Sequence, residues 1–270
     1  MNKTDRPDIV IGNSMTCIGQ GELKDYVTHA YCRSGSCSFS FNDQRYTFSA
    51  GDCLIMRHSR LITDVVEGAG FETDIIFVTP EFIEISTPQS NYGMRGSVSL
   101  FHNPILRLSP EQQEVCRLDF DYIKRRLALP HHHFHRDAMI NAVECLIIDL
   151  FDFHAELYGK AEISISYAQL MERFMGMLER GDFRRNREIG YYASALCITP
   201  KYLSEVSKKI SGFPASYWIN RYTTLDISRR LKEKNRCIKE LADFYHFSSA
   251  SYFSRYVQKY LRMQPSDFLD

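Results

Sequence analysis

The chain has 270 residues, 44% of them hydrophobic, with 33 basic and 33 acidic residues, so its formal net charge is zero. This composition, which includes 16 Tyr and 18 Phe, excludes an intrinsically disordered chain. No apolar run approaches the ~20 residues of a membrane span, and the N-terminus lacks a secretory signal. We therefore expect a cytoplasmic protein of two ordinary domains, with no membrane partner.

Eight cysteines are spread along the chain, and none of them forms the C-x2-C pair that a zinc site usually needs. The closest two are Cys32 and Cys37. In a reducing compartment such residues are typically buried free thiols. We expect neither disulfides nor a metal at these positions.

From Val27 to Val78 short runs alternate apolar and polar residues, which is the pattern of antiparallel strands. The predicted strands are Ser38–Phe41, Arg45–Phe48, Cys53–Met56, Leu61–Glu67 and Phe71–Val78. Asn-Asp and Gly-Asp turns separate the first three of them. A small antiparallel barrel or sandwich is the natural closure for such strands.

From about residue 109 the spacing of the apolar residues changes from that of strands to that of helices. Ser109 is a suitable N-cap, and Pro110 suits the first helical position. The apolar residues that follow near helical spacing are Val115, Leu118, Tyr122 and Leu129. A second helix, Phe134–Tyr158, follows after a short connection, so residues 109–158 are predicted to form an antiparallel helical hairpin. The second helix is too apolar for one core alone, and a subunit interface would account for the excess.

Residues 159–165 are the best candidate linker, and residues 166–270 are predicted to be entirely helical. The predicted helices are Tyr167–Glu179, Glu188–Leu196, Thr199–Ile210, Ala215–Lys232, Ile238–Tyr245, Ser249–Tyr260 and Ser266–Leu269. Residues 160–270 carry 19 Lys and Arg against 12 Asp and Glu, so this half is basic. A basic half indicates a polyanionic partner such as nucleic acid.

One skeleton occurs twice in the basic half, in "YYASALCITPKYLSEVSKKISGFPASYW" and in "ELADFYHFSSASYFSRYVQKYLRMQPSDF". The matching pairs are Ala193 and Ala242, Ile198 and Phe247, Leu203 and Phe253, and Lys209 and Lys259. In each copy a small Ala allows two helices to approach closely, and a hydroxyl residue caps the next helix: Thr199 in the first, Ser248 or Ser249 in the second. This pattern predicts a helix-turn-helix, present twice.

In such a unit the second helix lies in the major groove of DNA, and residues near its N-terminus reach base edges. Helical spacing directs Leu203, Val206, Ile210, Phe253, Tyr256 and Val257 to the core. The residues left facing outward are Lys201, Ser204, Glu205 and Lys208 in the first copy and Ala250, Ser251, Ser254 and Arg255 in the second.

Arg255 is the best candidate for a bidentate contact to guanine. Ser251 and Ser254 could contact bases or phosphates, and Lys259 and Arg262 lie further along, where the DNA backbone is the expected partner. The eight outward residues together with Lys259 and Arg262 are the predicted DNA-binding site.

The C-terminal part of the chain resembles the AraC/XylS family of bacterial transcription regulators. The resemblance is clearest over "IKELADFYHFSSASYFSRYVQKYLRMQPSDF", which is similar to the family signature of an Ala helix, a Gly-Phe turn and a Ser-Tyr-Phe-Ser-Arg helix. It implies two helix-turn-helix units, joined by a linker helix, on asymmetric promoter DNA. Cys197 and His246 stand where the family has its turn glycine, and a positive φ there suits His better than Cys.

The N-terminal half looks like the arm-and-barrel domain of the same family, because "YTFSAGDCLIM" resembles its cupin-like turn. The implied fold is α+β and multidomain: a cupin-like antiparallel β barrel that senses an effector (residues 1–108), the helical hairpin as dimerisation element, and an all-α DNA-binding domain. The expected partners are double-stranded promoter DNA, a second copy of the chain as a homodimer, a small-molecule effector and RNA polymerase.

Two alternatives remain. A cupin-type metalloenzyme needs a His-x-His pair with a carboxylate, but the barrel segment has only isolated His29 and His58, and the cluster His131–His135 lies at the hairpin turn. With no phosphate loop or nucleophile elbow either, we expect no enzyme, no cofactor and no metal.

The second alternative is a DNA-binding regulator whose barrel senses nothing. Thermal-shift screening separates it from a sensor, because a bound effector raises stability by mass action.

Overall fold

The computed structural model describes residues 6–42, 44–88, 99–101, 103–158, 164–231, 237–261 and 263–265. The chain divides into two compact units, Met1–Glu162 and Ile163–Asp270. The first unit combines antiparallel sheets with helices, and the second is helical.

The strands of the first unit are β1 (Ile9–Gly12), β2 (Val27–Ser34), β3 (Ser36–Phe41), β4 (Gln44–Ser49), β5 (Asp52–Met56), β6 (Ile62–Glu67), β7 (Glu72–Val78) and β8 (Ile105–Arg107). The five predicted strands are confirmed as β3 to β7, with ends that differ by at most two residues. In the hairpin of β3 and β4, Phe39 lies opposite Tyr46. Strands β1, β2 and β8 were not individually predicted.

Of the two predicted closures, the closed barrel is wrong for the described residues, because their strands form two separate sheets that share a core, as in a sandwich. The five-stranded sheet has the order β1-β7-β2-β5-β8, and the three-stranded sheet has the order β4-β3-β6. The chain changes sheets between β2 and β3 at Gly35, which has a φ of 67°. A Cβ at Gly35 would lie 2.7 Å from the Gly70 carbonyl oxygen, so the crossing requires glycine.

The helices described in this unit are α1 (Pro80–Ser86), α2 (Pro110–Leu127) and α3 (His135–Tyr158). The five-stranded sheet is buried on both faces. One face shares a core with the three-stranded sheet. This core includes Phe39 and Phe48 of the three-stranded sheet and Phe77 of the five-stranded sheet. The other face packs on the helices, with Cys53, Phe120 and Leu146 in one cluster. Burial on both faces removes the apolar-polar alternation from β2, and this explains why its pattern is hard to recognise.

Helix α2 begins as predicted, because Ser109 forms a capping box with Gln112 and Pro110 occupies the first turn. Its core side consists of Gln112, Cys116, Phe120 and Ile123. The residues whose spacing predicts the helix lie instead on its outer side, where Val115, Leu118 and Tyr122 are exposed, and Leu129, which follows the end of the helix, is exposed as well. The hairpin therefore carries an apolar stripe that the first unit does not bury.

The helices of the second unit are α4 (Ile165–Glu179), α5 (Ile189–Ala195), α6 (Pro200–Ser211), α7 (Ala215–Leu231), α8 (Ile238–Phe244) and α9 (Ala250–Leu261). They confirm six of the predicted helices with shifts of one or two residues. The seventh, Ser266–Leu269, lies outside the described residues, as does most of the predicted linker. None of the helices that the structure describes is long and apolar enough to cross a membrane.

Helix α7 is the centre of this unit. It contacts α4, α5, α6 and α9, and it is buried on nearly all sides. Its Trp218 is fully buried and donates its indole N–H to Ser211 Oγ at 2.9 Å. Two of its buried threonines are satisfied within the helix: Thr223 donates to the Ile219 carbonyl at 2.7 Å and Thr224 to the Arg221 carbonyl at 3.0 Å. These two threonines are therefore buried in α7 without unpaired hydroxyl donors.

Two carboxyl groups face each other across the hairpin of the first unit. Burial, with a further contribution from neighbouring Asp149, raises the pKa of Asp119 to about 7. Asp119 Oδ2 is buried and has no hydrogen-bond partner. The folded hairpin therefore favours a protonated Asp119, whereas the unfolded chain ionises this group at ordinary acidic pH.

The substitution Asp119→Asn should stabilise the protein above neutral pH. A carboxyl with a raised folded-state pKa carries no penalty below its unfolded pKa, an increasing penalty as pH rises toward about 7, and the full penalty above that. We expect a gain of about 1 kcal/mol at pH 8, since solvent screens a partly exposed group, and none near pH 4. Urea unfolding at both pH values measures this difference.

Asp121→Asn on the same helix is the matched control. Asp121 lies 2.6 Å from Arg33 and 3.2 Å from Lys124, and although burial opposes it, these cations lower its pKa. This variant should lose stability at pH 8. A loss at pH 8 in Asp119→Asn as well would contradict the carboxyl-pair explanation.

Candidate nucleic-acid interface

Two pairs of short helices in the second unit share one backbone design. The first helix pair is α5 with α6 (residues 189–211), and the second helix pair is α8 with α9 (residues 238–261). The Ile198 N–H donates to the Ala193 carbonyl at 3.0 Å, and the Phe247 N–H donates to the Ala242 carbonyl at 2.8 Å. Both alanines are 1% exposed, as close helix approach requires. The match predicted between the two copies is confirmed at these positions.

The turns of the two pairs contain one left-handed residue each. Cys197 has a φ of 58° and His246 a φ of 52°. The positive φ predicted at the position of the missing turn glycine is therefore confirmed in both pairs. Left-handed backbone is unfavourable for residues with a Cβ, so each turn is held by its surroundings.

The second helix of each pair is capped by a hydroxyl group. Thr199 accepts from the Tyr202 N–H at 3.2 Å, and Ser249 accepts from the Tyr252 N–H at 3.1 Å. Of the two candidates in the second copy, Ser249 is the cap, and Ser248 is the extra residue of the turn. The caps determine where α6 and α9 begin, and hence which residues lie at their N-terminal ends.

The predicted core sides of α6 and α9 are confirmed. The inward residues are Leu203, Val206 and Ile210 in α6 and Phe253, Tyr256 and Val257 in α9, all buried. Tyr256 also donates its hydroxyl to Asn220 Oδ1 at 2.8 Å, which ties α9 to α7. The opposite sides of both helices are therefore free of core packing.

The predicted DNA-binding residues lie on those opposite sides as far as the structure describes them. Lys201, Glu205, Lys208, Ser251, Arg255 and Lys259 are exposed, whereas Ser204, Ala250 and Ser254 are half-buried. Arg262 lies outside the described residues. Lys201 Nζ is 3.9 Å from Glu205 Oε1, so the charge of Lys201 is partly balanced within α6. Arg255 is the exposed guanidinium of α9, and its role as a base contact remains a prediction.

A buried carboxylate of α7 connects the second pair to the segment that precedes the first pair. Asp226 is 9% exposed. Its oxygens accept from Arg184 Nε at 2.8 Å, Arg184 Nη2 at 3.2 Å, Arg229 Nη2 at 2.8 Å and Tyr245 Oη at 2.8 Å. Burial favours a raised pKa for Asp226, but the hydrogen bonds from Arg184 and Tyr245 outweigh it and the pKa is lowered. The carboxylate is therefore charged and fully engaged.

Sequence reasoning missed this network. The available signal was Asp226, the single acidic residue of helix α7, together with the basic run of Arg184, Arg185 and Arg187 before α5. An acidic residue buried in a helix needs a cationic partner. The pattern does not identify which of the arginines that partner is.

The histidines considered for metal chemistry lie apart in the first unit. Burial lowers the pKa of His29 to about 4 and that of His58 to about 3, so both are neutral. At the hairpin turn His132 accepts from the Phe134 N–H at 3.2 Å, and His135 Nδ1 lies 3.1 Å from the Leu129 carbonyl. In the part of the chain that the structure describes, no three His, Cys, Asp or Glu side chains are grouped to hold a metal ion.

The helical pairs coincide with a known domain family: residues 192–270 match the model of a helix-turn-helix domain. Among solved structures, fatty-acid-bound ToxT from Vibrio cholerae is 16% identical with a TM-score of 0.44, covering 91% of this chain and 87% of that chain. A further ToxT structure is 12% identical over 97% of both chains, with a TM-score of 0.44. The AraC-like transcriptional activator CuxR is 14% identical with a TM-score of 0.36, covering 81% of this chain and 76% of that chain.

A search of curated proteins gives no match. The family match covers most of the first helix pair and all of the second, and it bears out the resemblance of the C-terminal sequence. Residues 192–270 are an AraC-type helix-turn-helix domain, which is a class of DNA-binding module.

The substitution Cys197→Gly should stabilise the protein. Glycine adopts a positive φ without the steric penalty of a Cβ, and this gain exceeds the entropy that glycine adds to the unfolded chain. Because Cys197 is exposed, its side chain contributes little packing. We expect an increase of roughly 0.5–1 kcal/mol in the free energy of unfolding, measured with urea.

The control is Cys197→Ala, which removes the thiol but keeps a Cβ. It should give no gain. An equal increase in both variants would mean that the thiol, and not the left-handed backbone, is the source of the effect.

Proposed function

We propose that the protein is a sequence-specific DNA-binding transcription regulator of the AraC type, in which α6 and α9 both read duplex DNA. The observation that carries this proposal is the repeated helix pair, with equivalent close alanines, left-handed turns and hydroxyl caps in both copies. Regulators of this class are usually not enzymes. Chromosomal DNA as the partner places the protein in the cytoplasm.

The proposed contacts follow from the outward sides of the two helices. Residues at the N-terminal ends of α6 and α9 reach base edges, because these ends enter the major groove in helix-turn-helix units. Arg255 offers two donors in a fixed fork, which matches the acceptors O6 and N7 of guanine. Lys259 lies one turn further along α9, where a phosphate is the nearer partner. The excess of basic residues in this half of the chain supports binding to a polyanion.

The first unit is proposed to regulate this activity. In the mechanism implied by the family resemblance, an effector binds the sheets of the first unit, and the resulting shift between states changes how two DNA-binding domains engage a promoter. Contact with RNA polymerase would then convert binding into regulation. The alternative is that the first unit only holds two copies together.

A homodimer through the hairpin is part of the proposal. Exposed apolar residues occur on both of its helices: Leu118 of α2 is 53% exposed and Ile148 of α3 is 49% exposed. Val115, Leu118 and Tyr122 are three and four residues apart on α2, so they form an exposed apolar stripe that a second hairpin could cover. The subunit interface was predicted from the apolar sequence of α3, but most of those residues, such as Leu146, are buried in the core of the first unit, so the proposal rests on the exposed stripe of α2.

Arg255→Ala and Lys259→Ala should weaken DNA binding in different ways. Loss of Arg255 should reduce discrimination by about 1–3 kcal/mol at one base position, because a guanine contact is lost. Loss of Lys259 should weaken binding to all sequences alike, because a phosphate contact is lost. The slope of the logarithm of the binding constant against the logarithm of the salt concentration should become shallower by about one. Duplexes selected by the full-length protein from random DNA, with single-base variants, provide the measurement at several salt concentrations.

The discrimination profile decides between the roles. Equal effects of both substitutions on selected and random duplexes would show that neither residue has its assigned role. If the unmodified protein selects no sequence at all, the proposed function itself is wrong.

Leu118→Glu should dissociate the dimer without unfolding the protein, because the side chain is exposed in the single chain. We expect self-association to weaken on the order of tenfold or more, measured by sedimentation equilibrium. Val66→Glu is the matched control, since Val66 is an exposed apolar residue, at 57%, on the three-stranded sheet. A monomeric parent protein, or equal dissociation by both substitutions, would refute an interface at the hairpin.

A further inference from the structure

The segment that precedes the first helix pair contacts the turn of the second. Arg187, two residues before α5, donates from Nη1 to the Tyr245 carbonyl at 2.5 Å and from Nη2 to the His246 carbonyl at 3.4 Å. Its guanidinium carbon lies 4.0 Å from the centre of the Phe247 ring. One side chain thus contacts three consecutive residues of the turn.

The chemistry of this contact suits an arginine specifically. The last carbonyl groups of a helix have no partners within the helix, and Tyr245 and His246 follow directly after α8. A planar guanidinium can donate to two such carbonyls and stack on an aromatic ring at the same time, whereas an ammonium group cannot. His246 is the left-handed residue of the turn, so the contact falls where the backbone most needs support.

A second arginine of the same segment acts on the same turn residue. Arg184 holds Asp226, and Asp226 in turn accepts the hydroxyl of Tyr245. Tyr245 is therefore attached at both ends, through its hydroxyl to α7 and through its carbonyl to Arg187, and it is fully buried. The turn of the second pair is fastened to two different parts of the unit.

We propose that Arg187 is a positioning residue that clamps the turn of the second helix pair to the segment before the first, and so sets the spacing between the two reading helices. The inference rests on the proposed function, because spacing matters only if both α6 and α9 enter DNA. With the clamp closed, the domain accepts one separation of its two half-sites. Without it, the second pair gains freedom relative to the first.

The DNA test uses the full-length protein and a duplex selected by it from random sequence. Inserting two base pairs between the two halves of that site turns one half by about 70° and moves it by about 7 Å. The parent protein should lose on the order of a hundredfold in affinity, because only one helix pair can then remain in register. Arg187→Ala should bind the original site less tightly but lose less than about tenfold on insertion.

Arg185→Ala is the matched control, since Arg185 is a neighbouring but exposed arginine. It removes the same charge, so it should leave the spacing penalty at the parent value. Should Arg187→Ala not fold, Arg187→Lys takes its place, because lysine keeps the charge but not the planar fork. An undiminished spacing penalty in the folded Arg187 variant would overturn the proposal.

Hydrogen exchange provides a second readout that does not depend on DNA. In Arg187→Ala, amides of residues 238–261 should exchange faster than in the parent, whereas amides of residues 189–211 should not change. Unchanged exchange in the second pair would also overturn the clamp. If the parent protein selects no DNA, the proposed function fails, and the exchange experiment still decides whether Arg187 holds the turn.

Discussion

The second unit depends on the buried carboxylate of Asp226. This charge lies in the most buried helix of the unit, where an unpaired carboxylate would be strongly unfavourable. Removing one partner of such a buried pair typically destabilises a protein by about 3–5 kcal/mol. Its principal partners, Arg184 and Tyr245, come from segments 42 residues before and 19 residues after it. The carboxylate is satisfied only when all three segments are in place, and this requirement holds the second pair against α7 and the segment before the first pair.

The two helix pairs show how a backbone design tolerates different side chains. Cys197 and His246 both adopt the left-handed conformation that suits glycine, and neither turn opens. The second turn is stabilised from outside by Arg187, and the extra residue Ser248 shifts the cap to Ser249. The conformation is therefore set by the packing of the helices around the turn, and the turn residue only has to accept it.

Periodicity was most informative where one side of an element meets one core. It correctly assigned the inward residues of α6 and α9, whose outer sides are polar. It was misleading in α2, where apolar residues occur on both sides and the regular stripe at Val115 and Leu118 turned out to be the exposed one. Similarly, β2 is buried on both faces and carries no alternating signal. Local patterns cannot distinguish a surface covered by the same chain from one left for a partner.

The sequence by itself determined the elements, the doubled helix-turn-helix skeleton and the outward position of residues such as Arg255 and Lys259, because these depend on local spacing, caps and turns. Only the tertiary structure decided that the strands form two sheets and that Asp226 and Tyr245 meet Arg184. It also decided that Arg187 contacts the second turn. Those contacts join residues far apart in the chain, and their partners are chosen by packing and by the need to pair buried charge, which no local pattern records.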